Sequence, residues 1–189
     1  LGGAGYDMGN ALAPDGSGGV WAAGYWDAGA FIFHFSSTGS VLSDTFLSGS
    51  GIDAGWALAS DGSGGIWVAG ETESTDFPVL NAYQSSKAGG VRDAFVSHLS
   101  STGVLRSSTY FGGNDNDVGW ALATDGSGGV WLTGATNSTD LPVTDDAYQS
   151  SKFGWNSDVF LTNFFEMGYG PTITSISPTT ITAGSDGFT

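Results

Sequence analysis

Asp117-Val118-Gly119-Trp120-Ala121-Leu122-Ala123-Thr124-Asp125-Gly126-Ser127-Gly128-Gly129-Val130-Trp131 is the stretch that decides the fold, because the chain spells it three times. The other copies run from Asp7 to Trp21 and from Asp53 to Trp67, and neither alignment needs a gap. All three read Asp-x-Gly-x-Ala-(Leu)-Ala-x-Asp-Gly-Ser-Gly-Gly-(Val or Ile)-Trp. Within each copy, a short apolar run bounded by turn residues predicts a buried strand, as in Gly9 to Ala13, Gly55 to Ala59 and Gly119 to Ala123. The Asp-Gly-Ser-Gly-Gly segment supplies glycines that accept positive φ and a carboxylate that can bond amides across a turn. A second strand follows at Val20 to Gly24, Ile66 to Gly70 and Val130 to Gly134, so each copy is expected to be a β-hairpin.

The register extends in both directions. Upstream, Leu1-Gly2-Gly3, Leu47-Ser48-Gly49 and Phe111-Gly112-Gly113 each stand at the same distance from the turn aspartate. Downstream, a third strand recurs at Phe31 to Phe35, Phe95 to Leu99 and Phe160 to Phe164. Ser36-Ser37-Thr38-Gly39 and Ser100-Ser101-Thr102-Gly103 then turn the chain into a fourth strand, Val41 to Leu47 and Val104 to Phe111. Each full unit is therefore expected to be a four-stranded antiparallel meander, the form of a propeller blade. The expected fold is all-β: a β-propeller-like array of three such blades over residues 1–168, divided at about 1–47, 48–111 and 112–168. The third repeat lacks the Ser-Ser-Thr-Gly turn and is incomplete. Residues 169–189 form a linker and a β-strand tail.

The second and third units carry insertions between their second and third strands, Glu71 to Asp93 and Ala135 to Asp158. These share Ser-Thr-Asp-(Phe or Leu)-Pro-Val and Ala-Tyr-Gln-Ser-Ser-Lys. Loops of defined sequence on a rigid scaffold are where binding residues concentrate.

These residues resemble the bacterial SBBP-type β-propeller repeat family over residues 1 to about 164. The resemblance rests on Ser108-Thr109-Tyr110-Phe111-Gly112-Gly113, the Asp-x-Gly-x-Ala-Leu-Ala-x-Asp-Gly-Ser-Gly run, Thr139-Asp140-Leu141-Pro142, Ala147-Tyr148-Gln149 and Asp158-Val159-Phe160. It implies a secreted or cell-surface bacterial protein with no established catalytic residues. Trp21, Trp67 and Trp131 depart from it, standing where the family more often has Tyr, and the first unit lacks the Asp-Phe-Pro loop. The tail from Pro171 to Gly184 resembles the opening strand of an IPT/TIG Ig-like domain.

Composition narrows the function classes. Nineteen Asp and Glu against four Lys and Arg give a net charge of −15. Such a chain has too little positive charge to neutralise a row of phosphates, so nucleic acid is not an expected partner. No apolar run is long enough to cross a bilayer as a helix, so membrane insertion is not expected either. With no cysteine there is no disulfide, thiolate catalysis or Cys-based zinc site. The two histidines, His34 and His98, sit at one repeat position, with Asn163 third, which points to structural or surface positions and against a catalytic pair. A sialidase-type Asp box is approached at Asp125 to Trp131, but the spacing is one residue longer and arginines are scarce. A non-catalytic protein is expected.

Binding candidates remain. Asn114, Asp115 and Asp117, in the densest acidic turn, are the best calcium ligands on offer, since calcium takes carboxylate and carbonyl oxygens. The competing reading is that aspartates at turns hold backbone amides, and calcium is the one cofactor kept open. For a glycan, Asp76 and Asp140 in the two insertions and Trp26 and Trp155 outside the shared strand positions are the candidates. The repeated tryptophans Trp21, Trp67, Trp131, Trp56 and Trp120 are expected in the core between blades.

Three blades do not close a ring that normally takes four to eight. The missing blades lie in a longer parent chain, come from other subunits, or are absent from an open stack. Leu1-Gly2-Gly3 reads as the middle of a repeat, so a native beginning upstream is expected. The alternating, β-branched tail, with Thr172, Ile173, Thr174, Ile176 and Ile181, is an assembly strand that pairs with its own third blade or with a neighbour. The expected role is extracellular or cell-surface structure, adhesion or self-association; the alternative is a carbohydrate- or calcium-binding module.

Overall fold

The computed structural model describes residues 5–166 and, through its backbone, residues 171–176. It is all-β, with no helix among the described residues. Blade 1 comprises β1 (Met8–Pro14), β2 (Val20–Trp26), β3 (Gly29–Phe35) and β4 (Val41–Leu47). Blade 2 comprises β5 (Asp53–Ser60), β6 (Ile66–Thr72), β7 (Asp93–Leu99) and β8 (Leu105–Phe111). Blade 3 is built from β9 (Asp117–Thr124), β10 (Gly129–Thr136) and β11 (Asp158–Glu166), with β12 (Pro171–Ile176) on the outer edge of β11. Each sheet is an antiparallel meander in chain order.

Sheet geometry sorts the side chains into two faces, since successive residues point opposite ways. Trp21, Ala23, Ala30, Ile32 and Leu47 of blade 1 pack against Ile66, Val68, Phe95, Leu99 and Tyr110 of blade 2. The pattern then repeats one blade on. Trp67, Ala69, Ala94, Val96 and Phe111 of blade 2 meet Val130, Leu132, Phe160 and Phe164 of blade 3. Each blade thus has a forward face headed by the repeated Trp and a backward face built on the residues between. Neither core joins blade 3 to blade 1, so the three blades form an open stack.

The tryptophans divide. Trp21 and Trp67 are buried as expected, and the Trp21 indole N–H donates to the Gly64 carbonyl of the neighbouring blade (3.1 Å). Trp131 is only half-buried, because no further blade among the described residues packs on its face. Trp56 and Trp120 correct the core expectation. In β1, β5 and β9 the register slips at one shared position, between Gly9 and Ala11, Gly55 and Ala57, and opposite Thr133 and Gly134. The extra residue of such a bulge leaves the ladder and is re-aimed. Asn10, Trp56 and Trp120 occupy that position, so Trp56 and Trp120 tilt together at 5.5 Å along the inner strands, with Trp120 exposed.

The tail pairs within its own chain. Phe164 stands opposite Ile173 and Phe165 opposite Thr172, so β12 supplies the fourth strand that the third repeat lacks. Thr172, Ile173, Thr174 and Ile176 fall in this strand, whereas Ile181 lies outside the described residues.

Candidate functional site

The repeated polar residues form three kinds of joint. The first is the hairpin turn. Asp15 Oδ1 accepts the Ser17 and Gly19 amides (2.7 and 2.8 Å), and its Oδ2 accepts the Ser17 hydroxyl (2.8 Å) and lies 2.9 Å from His34 Nε2. Trp21 stacks on the His34 ring at 4.1 Å. Blade 2 repeats the arrangement with Asp61, Ser63, Gly65, His98 and Trp67. The close amide geometry explains the glycine after the turn. A Cβ on Gly65 would sit 2.4 Å from Asp61 Oδ2 and 2.5 Å from the Leu99 carbonyl. The His34 contact, then the Ser17 amide and hydroxyl, hold the Asp15 carboxyl well below its ordinary value. Asp61 is also lowered: burial opposes ionisation there, and His98 and Ser63 outweigh it. At Asp125 the Ser127 amide leads and Asn163 contributes from the histidine position.

The second joint lies at the start of the inner strands. Asp53 is fully buried and accepts the Gly49 amide (2.8 Å), the Ser74 hydroxyl (2.9 Å) and the Thr72 hydroxyl. Asp117 does the same with the Gly113 amide (2.8 Å), the Ser138 hydroxyl (2.7 Å) and Thr136. Burial raises both carboxyls above the ordinary value despite these bonds. The adjacent loops are clasped from outside. Asp76 accepts the Ser50 amide and hydroxyl (2.7 and 2.9 Å), and Asp140 accepts the Asn114 amide (2.7 Å). Asn114 also exchanges bonds with Thr139, its Oδ1 accepting the Thr139 amide at 3.0 Å and its Nδ2 donating to the hydroxyl at 2.9 Å.

The third joint ties each insertion down. Asp93 accepts the Ala88 amide (2.8 Å) and Gln84 Nε2 (3.3 Å), and Asp158 accepts the Phe153 amide (2.7 Å) and Gln149 Nε2 (3.0 Å). Burial pushes the Asp93 carboxyl up to about 6, with Lys87 opposing and Asp117 reinforcing the rise.

The calcium candidates do not converge. Asp117 points into its buried joint, Asp115 accepts the Asn116 amide (2.7 Å), and Asn114 spends its side chain on Thr139. Among the described residues, no three His, Asp or Glu side chains come together as a metal would require. These donors therefore do not fit a calcium ion as they stand.

The glycan candidates separate as well. Asp76 and Asp140 are loop clasps, 26 residues from their partners in each case. Trp26 packs edge-on against Phe33 (5.7 Å), Phe46 (5.8 Å) and Phe31 (6.4 Å). In blade 2 the equivalents of Phe31 and Phe46 are Phe95 and Tyr110, and the insertion lays Phe77 on them at 4.6 and 5.9 Å. Blade 1 has no insertion, so Trp26 takes the place of Phe77. It also borders an open cleft with Asp27, Phe46 and Ser48. Trp155 stands apart: it is fully exposed, on a loop that also exposes Tyr148 and Phe153.

Two features gave no signal in the sequence. The β2–β3 turn places Asp27 and Ala28 at positive φ (49° and 86°), where Ala is strained, and Ala28 offers its carbonyl to the Asp53 amide of the next blade (2.8 Å). Asn116 Oδ1 receives the Val91 and Arg92 amides (2.8 and 3.2 Å), so the acidic turn of blade 3 is a seat for the blade 2 insertion. Comparison with protein-family models and with curated proteins finds no match for the chain.

Proposed function

We propose that this chain is a non-catalytic structural module of the cell surface or extracellular space, built to join other blades through its sheet faces. The observation that supports this reading is the allocation of its side chains. The repeated aspartates, histidines and serines are engaged in joints within and between blades. By contrast, apolar side chains at both ends of the stack stand exposed, Leu12 and Phe46 on blade 1 and Val159 on blade 3. The resemblance to SBBP-type repeats supports the same location and a bacterial source. The partners are further blades, from a second copy or a longer parent chain, and the role is assembly or adhesion.

A second reading rests on Trp155. A fully exposed Trp beside exposed Tyr148 and Phe153 is the kind of aromatic platform on which a sugar ring stacks. A glycan array with wild-type protein and Trp155→Ala separates the two. The structural reading expects no signal that depends on Trp155, and calorimetry with calcium is expected to give no heat. Array binding that disappears in Trp155→Ala would overturn it in favour of a carbohydrate-binding module.

A further inference from the structure

We infer that the forward face of blade 3 docks on the backward face of blade 1 of a second copy of this chain, head to tail. The inference rests on the assembly reading and names the partner.

The chain makes this joint twice internally, so the same two faces are already complementary. At several positions, residues that the internal joints bury have counterparts left open at the ends. Leu58 and Leu122 pack against the preceding blade, while their counterpart Leu12 is 73 % exposed. Tyr110 is buried at the same joint, while its counterpart Phe46 is 46 % exposed. On the forward side, Trp21 and Trp67 are buried and Trp131 is not. Ala30 and Ala94 are buried, and Val159 at that position is 52 % exposed.

Blade 1 is also more apolar on its backward face than blades 2 and 3, with Phe31 and Phe33 already covered by Trp26, Phe35 and Phe46 of the same sheet. Phe33 stands where blades 2 and 3 have Ser97 and Thr162, and it packs with Phe31, Phe35, Phe46 and Trp26. The indole hydrogen bond seen at the first internal joint has equivalent groups at the ends. Trp21 donates to Gly64 in the turn of the next blade, and the Trp131 indole would find Gly18 in the same turn of blade 1 of a second copy. Two copies supply six blades, within the range of four to eight that closes a ring. Heterologous faces of this kind give rings when the rotation closes.

One part of the joint must differ from the internal pattern. Gly89 and Gly90 of blade 2 lie against the Asn114–Asn116 turn so closely that a Cβ on Gly90 would sit 2.5 Å from the Asp115 backbone. Trp155 replaces Gly90 in blade 3, so contact there moves outward and the docking rests on the sheet faces.

The test is complementation between two face-blocked variants, read by sedimentation velocity, with native circular dichroism confirming each fold. Phe46→Asp blocks the blade 1 face and Val159→Asp the blade 3 face. Each alone is expected to sediment as a monomer of 19.2 kDa, and an equimolar mixture as a 1:1 species of twice that mass. Leu12→Asp with Thr133→Asp repeats the test should either first variant fail to fold. Variants that still self-associate alone, or a wild-type chain that stays monomeric, would overturn the docking. Neither result touches the choice of a structural module over a glycan binder, which is overturned by the Trp155-dependent array signal.

Discussion

Asp93 shows how a single buried carboxylate sets the response of the fold to pH. Its carboxyl stands at about 6 when folded against 3.8 as its reference value, because burial disfavours the charge. Between those values the folded state holds more protons than the unfolded one, so stability falls as pH rises through this window. Asp53 and Asp117, also raised by burial, act in the same direction. Asp15, Asp61 and Asp125 are lowered, so their contribution is present above the reference value and is lost as pH falls through the folded value. Stability is thus expected to peak near pH 4 to 5 and to decline towards neutrality. In urea melts at several pH values, Asp93→Asn should remove roughly 1–2 kcal/mol of that decline after allowance for solvent screening. An unchanged slope would assign the decline to other groups. At the same scale, Trp67→Ala removes a buried ring that stacks on His98 and should cost about 3–5 kcal/mol in a denaturant melt.

Elements explain why similar sequences do different work. The two insertions act as clamps, each placing one Asp on the loop before the inner strand and one aromatic or Leu on the sheet. Asp76→Ala and Asp140→Ala should each cost roughly 1 kcal/mol, the usual size of such bonds. Amide exchange is expected to speed up at Ser50 and Asn114, the amides those carboxylates accept. Faster exchange spread over the whole chain would mean global unfolding instead. Strands and turns were legible because three gapless copies fix the period; the shared position of His34 and His98 marked them as structural or surface residues, and their burial selects the structural case. The bulge was not legible, since Asn10, Trp56 and Trp120 differ only in which way a slipped ladder aims them. Nor was the role of Trp26, because replacing Phe77 depends on a contact across β2, β3 and β4. The acidic turn offered either ligands or hydrogen-bond acceptors, with the structural reading the simpler, and the positions of Ser138 and Thr139 show Asp117 and Asn114 serving as acceptors.

At the scale of the whole molecule, one joint is used twice between the described blades, and apolar residues at matching positions stand exposed on blades 1 and 3. Burial of apolar surface drives that joint, while the net charge of −15 on each copy opposes it. Salt screens the repulsion and leaves the apolar contact intact, so association is expected to tighten as ionic strength rises. The most direct measurement is sedimentation equilibrium of the wild-type chain over a concentration series at low and moderate salt. The account predicts a mass that climbs from 19.2 kDa towards at least twice that value, with the midpoint moving to lower concentration in salt. A constant 19.2 kDa at all loadings and both salt concentrations would contradict it.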